Sequence, residues 1–123
     1  MNQTRTILIV DDDRFVRTAV RDALLEEPDL RVAEAGDGEE ALLAVIAERP
    51  ALVLLDLLMP RRSGLEVLSQ IRRESPGTPV LVMTSLQTES MEALARSEGA
   101  TGFLAKPFHP LELLAAVRRA LEG

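Results

Sequence analysis

Five short apolar runs recur along the chain, each followed by a longer amphipathic segment: TILIV (6–10), LRVAEA (30–35), ALVLL (51–55), VLVM (80–83) and GFLA (102–105). Runs this short and this rich in β-branched and leucine residues are read as buried strands. Near-continuous apolarity, rather than strict alternation, points to a parallel sheet covered by helices on both faces. LRVAEA alternates more than the others and reads as a strand nearer the sheet edge. The pattern is therefore an α/β chain of five βα units, with no repeat, linker or low-complexity stretch.

Helix boundaries are written in the intervening segments. RFVRTAVRDALLEE places Phe15, Val16, Ala19, Val20, Ala23 and Leu24 at helical spacing, with Pro28 soon after. Asp37 with Glu40, and Ser63 with Glu66, have the spacing of capping boxes. A segment from 88 to 98 offers only Met91, Leu94 and Ala95 as an apolar face before Gly99, which predicts a loosely held helix. Pro110 suits the first residue of a last helix running to about Leu121.

Composition narrows the function. A chain of 123 residues fits one domain with a real core, and a single domain spanning 1–123 is expected. It has no cysteine, hence neither a disulfide framework nor a thiolate metal site, and it lacks a secretory leader pattern. The cytoplasm is the expected location. A net charge of -6 opposes direct contact with nucleic acid or anionic membrane, so protein partners and small ions are favoured. The pairs Arg61-Arg62, Arg72-Arg73 and Arg118-Arg119 read as solvated surface.

Asp56 stands out because it lies among Leu54, Leu55, Leu57 and Leu58. A buried carboxylate needs a partner or gives up its charge. In an open parallel sheet, ligands bind beyond the carboxyl ends of the strands. Those ends carry Asp11, Asp12 and Asp13 after the first strand, Thr84 and Ser85 after the fourth, and Lys106 after the fifth. If strands one, three, four and five are neighbours, aspartates from two loops converge with a hydroxyl and an ammonium. Mg²⁺ fits such a cluster, since it accepts a few carboxylates and leaves positions for phosphate oxygens. The chemistry that follows is phosphoryl transfer, with Asp56 as nucleophile. Lys106 is the only lysine among 14 basic residues, which suits a crowded place where a guanidinium fork does not fit.

The segments ILIVDDD, LVLLDLLMPRRSG, VLVMTS and GFLAKPF occur in an order and spacing that resemble the receiver domain of two-component response regulators, over essentially the whole chain. The resemblance implies a flavodoxin-like sheet of order 2-1-3-4-5. It implies Asp56 as phosphoacceptor, Asp12 and Asp56 as direct Mg²⁺ ligands, Asp11 acting through metal-bound water, and the Leu58 carbonyl as a further ligand. Thr84 and Lys106 would hold the phosphoryl group, Phe103 would be the aromatic switch, and the bond before Pro107 would be cis. A histidine kinase or phosphotransfer protein would be the donor, and an output protein or effector domain, absent from this chain, would read the change.

Leu58 and Leu86 stand where relatives often carry polar residues that orient water, which predicts slow dephosphorylation. GATGFLAKPF lacks the acidic pair that winged-helix relatives carry, so their charged dimer is not implied. Two other readings compete. A haloacid-dehalogenase-type phosphatase would use Asp11 as nucleophile and Asp13 as acid, but it leaves Asp56 unexplained. A pseudo-receiver would act by binding alone, yet no acidic residue, Thr84 or Lys106 is missing. His109 and Asp13 read as helix-start residues, and Met59-Pro60 as a turn; Gly64 reads as a point of close loop packing.

Overall fold

Each apolar run forms a strand, and each segment after it forms a helix. The computed structural model describes residues 4–59, 63–85 and 88–123. The elements alternate as β1 (Arg5–Val10), α1 (Arg14–Leu24), β2 (Leu30–Ala35), α2 (Gly38–Glu48), β3 (Leu52–Asp56), α3 (Gly64–Glu74), β4 (Val80–Thr84), α4 (Glu89–Ser97), β5 (Gly102–Ala105) and α5 (Pro110–Glu122). All strands are parallel in the order 2-1-3-4-5, as the resemblance implied. Asp56 closes β3, and β4 runs one residue further than the apolar pattern suggests, so Thr84 closes that strand rather than follows it.

The side-chain period of two splits the core into two layers. Leu8, Val10, Val53, Leu55, Val80 and Val82 pack under α2, α3 and Ala95 of α4. Ile7, Ile9, Leu52, Leu54, Leu81 and Met83 pack under α1 and α5. β3 and β4 are buried along their full length, whereas β2 and β5 form the edges with mixed burial. Burying each Leu or Ile of this core is worth about 1.5–3 kcal/mol.

The caps follow the sequence signals closely. Asp13 accepts the Phe15 N–H at 2.9 Å and starts α1. Asp37 accepts the Glu40 N–H at 2.9 Å, while the Glu40 carboxylate accepts the N–H of Gly36, one residue before the cap. His109 caps α5: its Nδ1 accepts the Leu111 N–H at 3.0 Å and Glu112 accepts the His109 N–H at 2.9 Å. Gly99, at φ +104°, ends α4 with paired bonds from Gly99 N–H to Arg96 O and Ala100 N–H to Ala95 O.

Two expectations about apolar faces need correction. The spacing assigned Phe15 and Ala19 to the buried side of α1, yet both are exposed, Phe15 to 85%. The first turn of α1 begins beside the carboxyl ends of the strands: there only Val16 packs on the core, half-buried, and full burial starts at Val20. In α4, Leu94 is 52% exposed and Ala95 alone is buried, which leaves this helix with little apolar anchorage.

The arginine pairs also divide. Arg61 and Arg62 lie outside the described residues, as do Pro60 and Leu86. Arg72 is half-buried and donates to the Thr78 carbonyl. Arg118 is no solvated bystander either. Its two terminal nitrogens hold Asp29 at 2.8 and 2.7 Å, and one also reaches Glu27 at 2.8 Å, tying α5 to the loop before β2. The planar fork matches a carboxylate in a way that a lysine would not.

That fork holds the Asp29 carboxyl down to about 2, from an ordinary 3.8. A carboxyl that titrates lower in the fold than in the unfolded chain favours the fold above its ordinary range. The contribution is lost as pH falls from 3.8 through about 2. In Arg118→Met the Asp29 titration, followed by NMR, is expected to return toward 3.8. An unchanged midpoint would mean that some other group holds the proton off.

Candidate functional site

The strand order brings the carboxyl ends of β1, β3 and β4 side by side, with β5 next to β4. Asp11 leaves β1 fully buried, and Asp56 ends β3 at 4% exposure. Asp12 is exposed at the rim. Carboxylate oxygens of these three residues all lie within 4.8 Å of one another. Three negative charges this close repel strongly, and the chain answers with one cation. Lys106 Nζ sits 2.6 Å from Asp11 Oδ2 and 3.3 Å from Asp56 Oδ2.

Each carboxylate is also held by backbone. Asp11 Oδ1 accepts the Asp13 N–H at 2.9 Å, and Asp56 Oδ1 accepts the Leu58 N–H at 3.0 Å. Arg17 donates to the Asp11 carbonyl at 2.6 Å while its Nε reaches Glu34 at 3.1 Å. Arg17 was not singled out from the sequence. Its signal was there: Arg17 and Arg21 stand one turn apart on α1, and both pair with Glu34, the acidic residue that interrupts β2.

Burial pushes the Asp56 carboxyl above its ordinary range, and the Leu58 N–H and the Lys106 charge pull against that rise. Burial alone would lower Lys106, but its hydrogen bond to Asp11 and the two facing carboxylates outweigh this and raise it. Lys106 is therefore a firm ammonium at neutral pH. The peptide bond from Lys106 to Pro107 is cis.

Thr84 is buried at 2% exposure, and its carbonyl accepts the Lys106 N–H at 2.9 Å, so the two residues sit on neighbouring strand ends. Phe103 is half-buried against the α2–α3–α4 layer, with the Arg96 guanidinium 4.8 Å from its ring centre. Leu58 is 46% exposed beside Asp56. Gly64 takes the N-terminus of α3 tightly against the segment after Asp56: its N–H donates to Leu57 O at 3.2 Å.

The acidic set can accommodate a hard divalent ion. Ligand oxygens around Mg²⁺ lie up to about 4.2 Å apart across an octahedron, close to the span found here. All the donors are oxygens, as Mg²⁺ prefers.

Residues 7–118 match the family model of the response regulator receiver domain. The chain belongs to that family. Over 115 residues this receiver domain is 43% identical to response regulator MprA of Mycolicibacterium vanbaalenii, covering 94% of the chain and 49% of that protein. MprA of Mycobacterium leprae matches at 43% identity with 50% of its length covered. The chain thus spans about half the length of the curated relatives it matches. Among solved structures, Vibrio cholerae chemotaxis protein CheY4 superposes with a TM-score of 0.89 at 32% identity, covering 95% of this chain and 98% of that one. A CheY-like receiver domain protein from Methanospirillum hungatei gives a TM-score of 0.92 at 27% identity, covering 98% and 95%. The domain is a signalling module of the two-component response regulators rather than a turnover enzyme. No helix among the described residues is long and apolar enough to cross a membrane.

Proposed function

We propose that this receiver domain is a phosphorylation switch whose acceptor is Asp56 and whose donor is a histidine kinase or phosphotransfer protein. The observation that carries the reading is the buried pair Asp11 and Asp56 with the half-buried Lys106 against both, and Asp12 at the mouth. Such a set gathers negative charge and one positive charge where phosphate oxygens would sit.

Asp56 Oδ1 is held by the Leu58 N–H, which leaves Oδ2 as the attacking atom. It forms the new O–P bond as the bond between phosphorus and the donor's imidazole nitrogen breaks, and the electron pair leaves with the imidazole. Asp11, Asp12, Asp56 and the Leu58 carbonyl would hold Mg²⁺. When bound, the ion would neutralise charge developing on the equatorial phosphoryl oxygens. Lys106, released from Asp56, pairs with the phosphoryl group, and the Thr84 hydroxyl donates a hydrogen bond to it. Thr84 moving toward Asp56 opens space behind it, and Phe103 follows inward from its contact with Arg96. The sparsely anchored α4, with β5 and α5, then presents a changed face to an output partner or effector domain.

The phosphatase reading finds less support. Asp11 has one oxygen on the Asp13 N–H and the other on Lys106, and Asp13 is spent on capping α1. Asp13 is therefore not placed to act as the acid, and this reading gives the buried Asp56 no role.

Incubation with acetyl phosphate, with and without Mg²⁺, followed by intact mass measurement, tests the proposal. The expected result is a single Mg²⁺-dependent phosphoryl adduct that is absent in Asp56→Asn. No adduct on the native chain would sink the switch and favour binding alone, and an adduct that persists in Asp56→Asn would move the acceptor elsewhere.

A further inference from the structure

Helix α2 carries seven consecutive apolar residues, Ala41 to Ala47, although it covers the sheet with one side only. Ala41 and Val45 supply that buried side. Leu43 is left 68% exposed and Ile46 59% exposed, with the exposed Ala47 beside them. At 100° per residue, Glu39, Leu43 and Ile46 fall on one outward stripe. A helix this apolar all round is ordinarily covered, and nothing in the switch described above uses this face.

The helix ends unusually. Arg49 occupies the C-cap with φ +46°, the left-handed conformation that glycine or asparagine normally takes. An arginine kept in that conformation points to a use for its side chain. Arg49 is exposed and has no ion pair among the described residues, and neither has Glu39 at the other end.

These positions are self-complementary. The midpoint of Leu43 and Ile46 lies half a residue from the midpoint of Glu39 and Arg49, ~0.8 Å along the axis. A two-fold axis through that point stacks Leu43 of each copy on Ile46 of the other. The same axis sets each Glu39 level with the opposite Arg49, which stands at the flank of the stripe one turn past Val45 and reaches across it through its long side chain. A partner of another sequence would not require this coincidence. We propose that α2 is an antiparallel, isologous contact between two copies of this chain, separate from the α4–β5–α5 face. One short helix buries less than the ~800 Å² per partner of a standard interface, so the dimer is weak and concentration-dependent.

Sedimentation of the intact chain between about 20 µM and about 1 mM tests this. The native chain is expected to shift toward dimer across that range, and Leu43→Glu and Ile46→Glu to remain folded monomers. Glu39→Arg and Arg49→Glu alone are each expected to weaken dimerisation at least about tenfold through like-charge contacts. Together they restore it to within about threefold of native, because the exchange rebuilds both pairs. Arg49→Gly separates interface from fold: it raises the melting temperature of the monomer while weakening the dimer. A chain that stays monomeric throughout overturns the proposal and leaves the stripe to a different partner. A dimer that survives Leu43→Glu, or a charge exchange without recovery, overturns it as well.

Discussion

Alanine at position 64 is expected to cost the fold about 3 kcal/mol, the upper end of what overpacking a well-filled site costs. A Cβ on Gly64 would lie 2.3 Å from Leu57 Cα and 2.6 Å from the Leu57 carbonyl oxygen. Both are backbone atoms, so no side-chain rotation relieves the clash. Either α3 moves away from the sheet and loses the burial of Val67, Leu68 and Ile71, or the segment after Asp56 shifts. The second escape displaces the Leu58 N–H that holds Asp56 Oδ1, so the variant is also expected to accept phosphoryl groups more slowly. Urea denaturation of native and Gly64→Ala protein measures the first effect. A loss under about 1 kcal/mol would show that the loop yields freely and that the close approach is incidental.

The second large effect is expected at Lys106. In Lys106→Met the stem is kept and the ammonium is lost, leaving Asp11 and Asp56 buried and facing each other without a cation. Breaking a fully buried pair costs ~3–5 kcal/mol. The Lys106 side chain keeps 18% exposure and Asp56 can take up a proton, so about 2 kcal/mol is expected at neutral pH. The pH dependence follows from the direction of the Asp56 shift. Burial already raises that carboxyl above 3.8, and removing Lys106 raises it further. A group whose pKa is raised by folding holds its proton more tightly in the fold, so the penalty is absent below the unfolded value and grows as pH rises to the folded one. Stability of the variant is therefore expected to approach native at low pH and to fall behind as pH rises. Added Mg²⁺ should recover part of the loss at neutral pH, since a divalent ion replaces the missing charge. Phosphorylation by acetyl phosphate should fall about 100-fold, as when one stabilising donor is removed from a transition state. A Lys106→Met protein as stable as native at neutral pH would mean that the carboxylates do not depend on this ammonium.

Much of this was legible in the residues alone, and the places where legibility failed share a cause. Strand positions were readable because a buried parallel strand must be apolar along its length, and β1, β3 and β4 are. Caps at Asp13, Asp37, Ser63 and His109 were readable because capping is local, decided within a few residues of the helix start. Phe15 is exposed although its spacing predicts burial, because helical spacing tells which side of a helix is apolar, not how far the sheet extends beneath it. From sequence Arg118 reads as surface, because its partners, Glu27 and Asp29, lie far back in the chain. The spacing of Arg17 and Arg21 points at most to an acidic partner such as Glu34; the acceptor that ties Arg17 to the site is the Asp11 backbone carbonyl, which leaves no mark in the sequence.

By itself the sequence determined the class of fold, the number of units and the residues worth inspecting, since periodicity, turn chemistry and a carboxylate set among leucines are properties of neighbouring residues. It also marked Lys106 as singular through its being the only lysine. Only the tertiary structure decided that this ammonium lies between Asp11 and Asp56, across 95 residues of chain. Strand order made that contact, because placing β3 and β4 between β1 and β5 brings three strand ends and one following loop to a single point. The charge balance there depends on distances of a few ångströms in a buried setting, which no local pattern contains.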